Sequence, residues 1–176
     1  MPVARIETAR LSGDRIRPEH LDVLAQLFGD PAVAATLWPE HLGGPRTRQQ
    51  TASLLEHDVQ HWEQHGFGAW IFVSKHTGEL VGRGGLERTD VGGRESVEVS
   101  YAVAAALWGR GFATEMARAA ADAAMRLGLP EIVGFTLTTN HASQRVLAKI
   151  GVRHERNLEH AGLLHWFGRC ALARSA

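Results

Sequence analysis

The pattern of apolar and polar positions predicts that strands and helices alternate along the chain. Apolar residues at alternate positions, bounded by glycine or polar turns, are typical of strands. Such segments cover residues 5–16, 68–75, 79–87, 96–104, 131–138, 152–159 and 163–173. Apolar residues at helical spacing, with start and stop signals, predict helices over residues 17–30, 46–66, 112–130 and 140–151. Residues 29–45 are expected to be rich in loop.

The order of these elements predicts an α/β fold with a mixed sheet. The turn signals "HTG" and "DVGG" separate three consecutive strands, which indicates an antiparallel meander. The strand–helix–strand unit that follows implies a parallel pair joined by a right-handed crossover. With 176 residues and no repeat or long linker, the chain is expected to form a single domain over residues 1–176.

The composition narrows the classes of partner and compartment. The chain has 19 basic residues (Lys and Arg together) and 19 acidic residues (Asp and Glu together). No net positive charge therefore favours nucleic acid or anionic lipid as a partner. No segment approaches the roughly 18 uninterrupted apolar residues of a membrane span, and the amino terminus lacks the apolar core of a signal peptide. Cys170 is the single cysteine and cannot form an internal disulfide. We therefore expect a soluble, cytoplasmic protein with neither nucleic acid nor membrane as partner.

The stretch "LWGRGFATE", residues 107–115, places two glycines at a predicted strand-to-helix junction. Free backbone N–H groups and the positive end of the helix dipole converge at such a junction, and glycine permits a phosphate to approach closely. The phosphate-loop pattern fails because Phe112 and Ala113 follow Gly111, and a dinucleotide fingerprint fails at Thr114. On this pattern alone, a glycine-rich turn without a ligand stays an equal alternative.

Five stretches together resemble, in order and spacing, the GNAT superfamily of N-acetyltransferases, and in particular its RimJ/RimL-like branch that acetylates the N-termini of ribosomal proteins. They are "TARLSGDRIRPEHLDVLAQLFGDPAV", "GELVGRGGL", "VEVSYAV", "LWGRGFATE" and "NHASQRVLAKIGV". The resemblance covers nearly the whole chain. It implies a mixed, splayed sheet of about seven strands flanked by about four helices, which holds acetyl-CoA as co-substrate between its fourth and fifth strands.

The resemblance also assigns residues to acetyl-CoA. The loop after the fourth strand wraps the pyrophosphate, and the fourth strand runs beside the pantetheine. The implied binding residues are Tyr101, Ala102, Val103, Trp108, Gly109, Arg110, Gly111, Phe112, Ala113, Thr114, Asn140 and Ser143. Trp108 stands where the broad family usually has Gln or Arg, whereas the N-terminal acetyltransferase branch often has an aromatic residue there. No metal is required.

Ser143 is the candidate that assists departure of the thiolate. Many family members use a Tyr in the helix after the fifth strand, and the matching position here is Leu147. The ribosomal-protein branch carries Ser in the same "N-x-x-S" setting, and its hydroxyl can hydrogen-bond the leaving sulfur. The alternative is that Asn140 caps the helix and Ser143 is a residue of its first turn. Both roles are compatible.

Glu98 is the candidate general base. The attacking amine must lose a proton, and strand alternation places Glu98, Ser100 and Ala102 on one face, opposite Val97, Val99 and Tyr101. The resembling branch commonly has Glu in "E-x-x-Y", and a solvated strand-face Glu is the alternative. The expected mechanism is direct transfer in a ternary complex, with a backbone N–H of the fourth strand stabilising the oxyanion.

The acceptor is the least specified part of the prediction. His57, His61 and His65 share one helix face at a spacing that can hold zinc, but no "HExxH" pattern is present, so a solvated face or a wall of the acceptor cleft is favoured. The resemblance implies that residues 29–45 and the last hairpin, around residues 157–164, shape the acceptor site. Neither carries a strongly acidic cluster, so a peptide N-terminus or a small amine is expected as acceptor rather than a polycation. A non-catalytic CoA-binding sensor or scaffold is the rival function, and a homodimer is left open.

Overall fold

The computed structural model describes residues 3–172 as one eight-stranded sheet flanked by helices. The strands are β1 (Arg5–Glu7), β2 (Leu11–Arg15), β3 (Ala69–Ser74), β4 (Leu80–Asp90), β5 (Glu95–Val103), β6 (Glu131–Leu137), β7 (Arg153–His160) and β8 (Leu163–Ala171). The α-helices are α1 (Leu21–Gly29), α2 (Pro31–Leu37), α3 (Arg48–His65), α4 (Phe112–Arg126) and α5 (His141–Lys149). Short 3-10 helices lie at Pro18–His20, Glu40–Leu42 and Ala105–Leu107.

The sheet has the strand order β1-β2-β3-β4-β5-β6-β8-β7. Neighbouring strands pair antiparallel except β5 and β6, which pair in parallel across the crossover helix α4. The α/β class, the meander of β3, β4 and β5, and the parallel strand–helix–strand unit are therefore confirmed. Within residues 3–172 the structure has eight strands and five α-helices, where about seven and about four were expected.

The strands β5 and β6 are in register only at Glu98 and Val133. By contrast, β4 and β5 pair continuously from Gly82 and Val103 at one end to Asp90 and Glu95 at the other. Most of the unpaired length of β5 and β6 lies after the single register point, at residues 99–103 and 134–137. The two strands thus separate towards their carboxyl ends, and this opening is the splay that the sequence led us to expect.

The single opening strand predicted over residues 5–16 is wrong, because β1 and β2 form a hairpin there. The Thr8 side chain closes the turn: its hydroxyl accepts a hydrogen bond from the Leu11 N–H (2.9 Å), and the Thr8 N–H donates to the Leu11 carbonyl (3.0 Å). A threonine can turn the backbone in this way without a glycine or proline, so the turn gave no strong sequence signal. The added strand makes β5 and β6 the strands expected as fourth and fifth.

The ends of other elements test the predicted boundaries. Residues 29–45 are more ordered than expected, because Asp30 caps α2 through the Ala32 N–H (2.8 Å) and Pro31 begins the helix. The predicted end of α3 is confirmed, since Gly66 has a φ of 72° and caps the helix. The strand predicted over residues 163–173 ends at Ala171, and its last predicted residue lies outside the described part of the chain.

Two neighbouring residues of β4 show which helices cover each face of the sheet. Arg83 pairs with Asp58 of α3, whereas a Cβ at Gly84 would lie 3.0 Å from the Met116 side chain of α4. Because successive side chains point to opposite faces, α3 covers one face and α4 covers the other. Met116 is almost fully buried, and burial of such a side chain contributes about 1.5–3 kcal/mol. The glycine lets α4 lie close to the centre of the sheet.

Candidate active site

Glu98 and Tyr101 of β5 lie on opposite faces of the sheet, close to the point where β5 and β6 separate. Glu98 shares the α3 face with Glu87, its cross-strand partner on β4. Tyr101 lies on the α4 face, where its hydroxyl reaches Ser143 at the start of α5. The two predicted catalytic residues, Glu98 and Ser143, are therefore on different faces, and the opening between β5 and β6 is where groups from both faces can approach one ligand.

Glu98 lies in a cluster of charged groups under α3. Arg83 is fixed by Asp58, whose Oδ2 accepts a hydrogen bond from the Arg83 Nε at 2.8 Å, and its Nη1 donates to the Ser100 hydroxyl at 3.1 Å. Burial and the neighbouring Glu87 carboxylate raise the pKa of Glu98 to about 8, although the Arg83 guanidinium acts to lower it. A carboxylate with a pKa near the working pH can both take up and release a proton.

Ser143 is held in the first turn of α5 by contacts from two directions. The Asn140 Oδ1 accepts a hydrogen bond from the Ser143 N–H at 3.0 Å, which is the predicted helix cap. The Tyr101 hydroxyl lies 2.9 Å from Ser143 Oγ and donates to the Ser143 carbonyl at 3.1 Å. Burial raises the pKa of Tyr101, although its hydrogen bond with Ser143 acts in the opposite direction, so the phenol stays protonated. Leu147, at the position of the missing tyrosine, is buried against Gly134 of β6.

Gly109 and Gly111 both adopt left-handed backbone conformations, with φ values of 75° and 80°. Gly111 occupies the cap position of α4 and supplies no side-chain hydrogen bond to the first turn. The N–H groups of Phe112, Ala113 and Thr114 therefore stand at a helix start where a side-chain cap is absent. Such groups, together with the helix dipole, favour an anion. Both glycines thus adopt a backbone conformation that disfavours residues with a side chain.

Arg10, which the sequence reasoning missed, braces this loop from the β1–β2 hairpin. Its Nη1 donates to the Arg110 carbonyl (2.9 Å), its Nε donates to Glu115 (2.7 Å), and its guanidinium lies 4.2 Å from the centre of the Phe112 ring. Burial acts to raise the pKa of Glu115, but hydrogen bonds from Thr8 and Arg10 hold it below its usual value. Glu115 therefore stays ionised at neutral pH and keeps Arg10 in place.

Trp108 closes the connection between β5 and α4. Its indole Nε1 donates a hydrogen bond to the Val103 carbonyl at 2.8 Å, and the side chain is 46% exposed. Val103 is buried, whereas Ala102 is half-buried on the face of Glu98. Trp108 thus lies at the rim of the opening rather than in the core.

A groove of about 740 Å³ lies beside α4, lined by Thr8, Arg10, Gly111, Thr114 and Glu115 among others. Glu98 and Ser143 do not line it. The groove borders the helix start at which a phosphate is expected, whereas the candidate catalytic residues lie at the opening between β5 and β6.

The three histidines of α3 have different environments. The buried His61 has Nδ1 2.9 Å from the Phe67 carbonyl, and its Nε2 accepts from the Arg88 N–H at 3.0 Å, so backbone groups use both ring nitrogens. The exposed His57 lies 2.9 Å from Glu87 through Nε2, and His65 is also exposed. Among residues 3–172, no group of three or more His, Cys, Asp or Glu side chains is placed to hold a metal ion.

An aromatic cluster lies on the Glu98 face beyond the point where the strands separate. Phe135 follows Val133 by two residues on β6 and so lies on the same face as Glu98. Its ring centre is 5.5 Å from that of His160 and 5.8 Å from that of His165, in the hairpin of β7 and β8. This hairpin is the predicted acceptor region, and its imidazoles border the opening on the side of the candidate base.

None of the helices in the described part of the chain is long and apolar enough to span a membrane.

Comparison with known proteins assigns the family. A family model described as an acetyltransferase (GNAT) domain matches residues 10–153. The FsC-acetyl coenzyme A-N(2)-transacetylase of Aspergillus fumigatus is 30% identical over 162 residues, which cover 85% of this chain and 65% of that protein. An acetyltransferase from Agrobacterium tumefaciens superposes with a TM-score of 0.80 at 23% identity, covering 96% of this chain and 94% of that one.

The ribosomal alpha-N-protein acetyltransferase RimL, solved in complex with coenzyme A, superposes with a TM-score of 0.78 at 16% identity, covering 96% of this chain and 98% of that one. This likeness supports the fold, and the family model supports the activity. The chain belongs to the GNAT family of acetyltransferases, which transfer an acetyl group from acetyl-CoA.

Proposed function

We propose that this protein is an N-acetyltransferase that moves the acetyl group of acetyl-CoA directly to a primary amine within a ternary complex. The observation that carries the proposal is the opening between β5 and β6, with Glu98 on one face and Ser143 on the other. A thioester that lies in this opening meets the amine from the Glu98 side and releases its sulfur towards the Ser143 side.

The residues that would hold acetyl-CoA fit the group. The uncapped first turn of α4 and the left-handed Gly111 offer N–H groups to the pyrophosphate. The diverging edge of β5 at Tyr101, Ala102 and Val103 offers backbone groups to the pantetheine amides. The family pattern assigns a role in binding to Trp108, Gly109, Arg110, Asn140 and Ser143 as well. When bound, acetyl-CoA supplies a thioester whose carbonyl carbon accepts a nucleophile.

Glu98 is the proposed base. An ammonium acceptor must first give one proton to the Glu98 carboxylate, which passes it to solvent. The free amine then forms a C–N bond to the acetyl carbon while the C–S bond breaks, and the second nitrogen proton neutralises the departing thiolate. Ser143 donates a hydrogen bond to the sulfur as negative charge develops, and in that state the Tyr101 hydroxyl donates to Ser143 Oγ and holds the side chain in place.

The proposed acceptor is the amine of a peptide N-terminus or of a small molecule. RimL is an alpha-N-protein acetyltransferase, and the Aspergillus relative is named an FsC-acetyl coenzyme A-N(2)-transacetylase, so acetyl transfer to nitrogen occurs among similar proteins. The Phe135, His160 and His165 cluster offers flat rings on the acceptor side. It favours an acceptor whose amine is next to an apolar or aromatic group over a polycation.

A thiol-release assay over a panel of amines and peptide N-termini tests the proposal. We expect the wild type to turn over at least one acceptor, and Glu98→Gln to lower kcat/KM by about 10²–10⁴, with partial recovery at high pH where free amine is abundant. Coenzyme binding should be retained in the variant. Binding of acetyl-CoA without turnover of any acceptor would instead support a non-catalytic CoA-binding module.

A further inference from the structure

Glu98 faces a second carboxylate across the sheet. Glu87 of β4 is its direct cross-strand partner, and Cβ atoms of such antiparallel partners are about 4.5–5.5 Å apart. Like charges at this separation oppose each other's ionisation. Glu98 must be ionised to accept a proton from the amine, and the neighbouring Glu87 carboxylate makes that ionisation less favourable.

His57 of α3 contacts the second carboxylate. Its Nε2 lies 2.9 Å from Glu87 Oε1, and its side chain is 62% exposed, against 31% for Glu87. When His57 is protonated it forms an ion pair with Glu87, and when it is neutral it leaves the Glu87 charge uncompensated.

The other charged or titratable groups that face Glu98 are fixed by their partners. Arg83 on β4 stays ionised because its ion pair with Asp58 of α3 raises its pKa against the effect of burial. Burial and the nearby His65 lower the pKa of His61, whose ring nitrogens are both bonded to backbone.

On the far side of Glu98, the imidazoles of His160 and His165 lie against Phe135, two residues beyond Val133 along β6. On β6 the partner of Glu98 is the apolar Val133, and beyond it Arg169 of β8 is paired with Glu131 and Glu155. Tyr101 of β5 points to the opposite face and bonds Ser143. Among residues 3–172, His57 is the titratable group that contacts Glu87 directly.

We propose that Glu87 and His57 form a positioning pair that sets the charge of Glu98, an inference that rests on the proposed role of Glu98 as base. Protonated His57 compensates Glu87 and lets Glu98 ionise. Neutral His57 leaves Glu87 to oppose that ionisation. Neither residue touches the reacting atoms; both act through Glu98.

The inference predicts opposite effects for two conservative variants. Glu87→Gln removes the opposing charge, so the acidic limb of kcat/KM against pH should move down by about one unit. His57→Gln removes the compensating charge wherever His57 is protonated, so it should move the same limb up by less than the Glu87 change moves it down. In the double variant the His57 change should have no further effect, because the charge that it compensates is gone. His65→Gln, one of the exposed histidines of the same helix, is the matched control and should leave the limb in place.

A titration separates this inference from the proposed function. The ¹³C carboxyl resonance of Glu98 in labelled protein, assigned by its loss in Glu98→Gln, should titrate at lower pH in Glu87→Gln and at higher pH in His57→Gln, with or without turnover. His57 is exposed, so its variant should fold even if Glu87→Gln is unstable. Shifts of the same sign, or an undiminished His57 effect in the double variant, would overturn the inference while leaving Glu98 as base. Superimposable profiles of kcat/KM against pH for the wild type and Glu98→Gln would show that Glu98 is not the base.

Discussion

The hydroxyl of Tyr101 lies 2.9 Å from Ser143 Oγ, linking the carboxyl-terminal part of β5 to the first turn of α5. Ser143 is thus held at two points. Its hydroxyl contacts the sheet, and its backbone N–H donates to Asn140 Oδ1 at the start of its own helix. This phenol from β5 reaches α5 one turn before Leu147, the position of the family's helix tyrosine, and we expect it to support Ser143 rather than to replace that acid.

Ser143→Ala should lower kcat more than it weakens coenzyme binding. The Ser143 hydroxyl is proposed to donate a hydrogen bond to the sulfur as negative charge develops there. A hydrogen bond to a charged group contributes about 1.5–3 kcal/mol, or roughly 10–100-fold in rate. Steady-state kinetics and calorimetric binding of coenzyme A measure the two effects separately. Unchanged turnover would mean that Ser143 has only a structural role in the first turn of α5.

Tyr101→Phe is the companion variant and should have a smaller effect on kcat than Ser143→Ala. It removes the contact that orients the Ser143 hydroxyl and keeps the aromatic ring, at a cost of about 0.5–1.5 kcal/mol in the free energy of unfolding. Thermal melts and kcat should both fall modestly. A loss of turnover as large as that of Ser143→Ala would indicate that the phenol itself takes part in the reaction.

Gly111→Asp should abolish tight coenzyme binding. At a φ of 80° a side chain is strained by about 1–2 kcal/mol, and the added carboxylate brings a negative charge to the expected phosphate site. Gly128→Asp is a matched control, because Gly128 has a φ of 74° with open space around it and lies at the other end of α4. Both variants should lose stability, but only the first should lose coenzyme affinity in calorimetry. If the wild type and both variants bind coenzyme A equally, the pyrophosphate site does not lie at Gly111.

Arg10→Gln should raise the Kd for coenzyme A by about three- to tenfold, because the loop around Arg110 loses a brace worth roughly 1 kcal/mol. Arg10 reaches both the Arg110 carbonyl and Glu115. Arg5→Gln is the control: Arg5 is exposed and pairs with Glu7 of its own strand. If the two substitutions change the Kd equally, the brace has no role in binding.

The limits of sequence reasoning follow from the distance between partners along the chain. The caps of α3 and α5 depend on local signals, Gly66 and Asn140, and both were predicted correctly. The placement of Glu98 on the face opposite Tyr101 follows from the period of a strand. The contact of Arg10 with Glu115 joins residues 105 positions apart, and nothing in either segment specifies the other. Such contacts exist only once α4 has packed on the sheet.

Glu98 also gives a prediction for stability against pH. Its pKa is raised to about 8 in the folded protein from an ordinary value of 4.5. Between these values the folded state binds more protons than the unfolded state, so the free energy of unfolding falls as pH rises from about 4.5 to 8 and then levels off. Below pH 4.5 both states are protonated at this position, and the stability is unaffected.

Glu98→Gln removes this penalty, since the amide does not titrate. We expect the wild type and the variant to have similar Tm values near pH 4.5, and the variant to become the more stable one as pH rises to 8, by an amount on the order of a few kcal/mol. Thermal melts across this range, in one buffer series at constant ionic strength, measure the difference. A gap between the two proteins that stays constant from pH 4.5 to 9 would mean that Glu98 ionises as an ordinary exposed carboxylate, which would remove the basis for its tuning by Glu87 and His57.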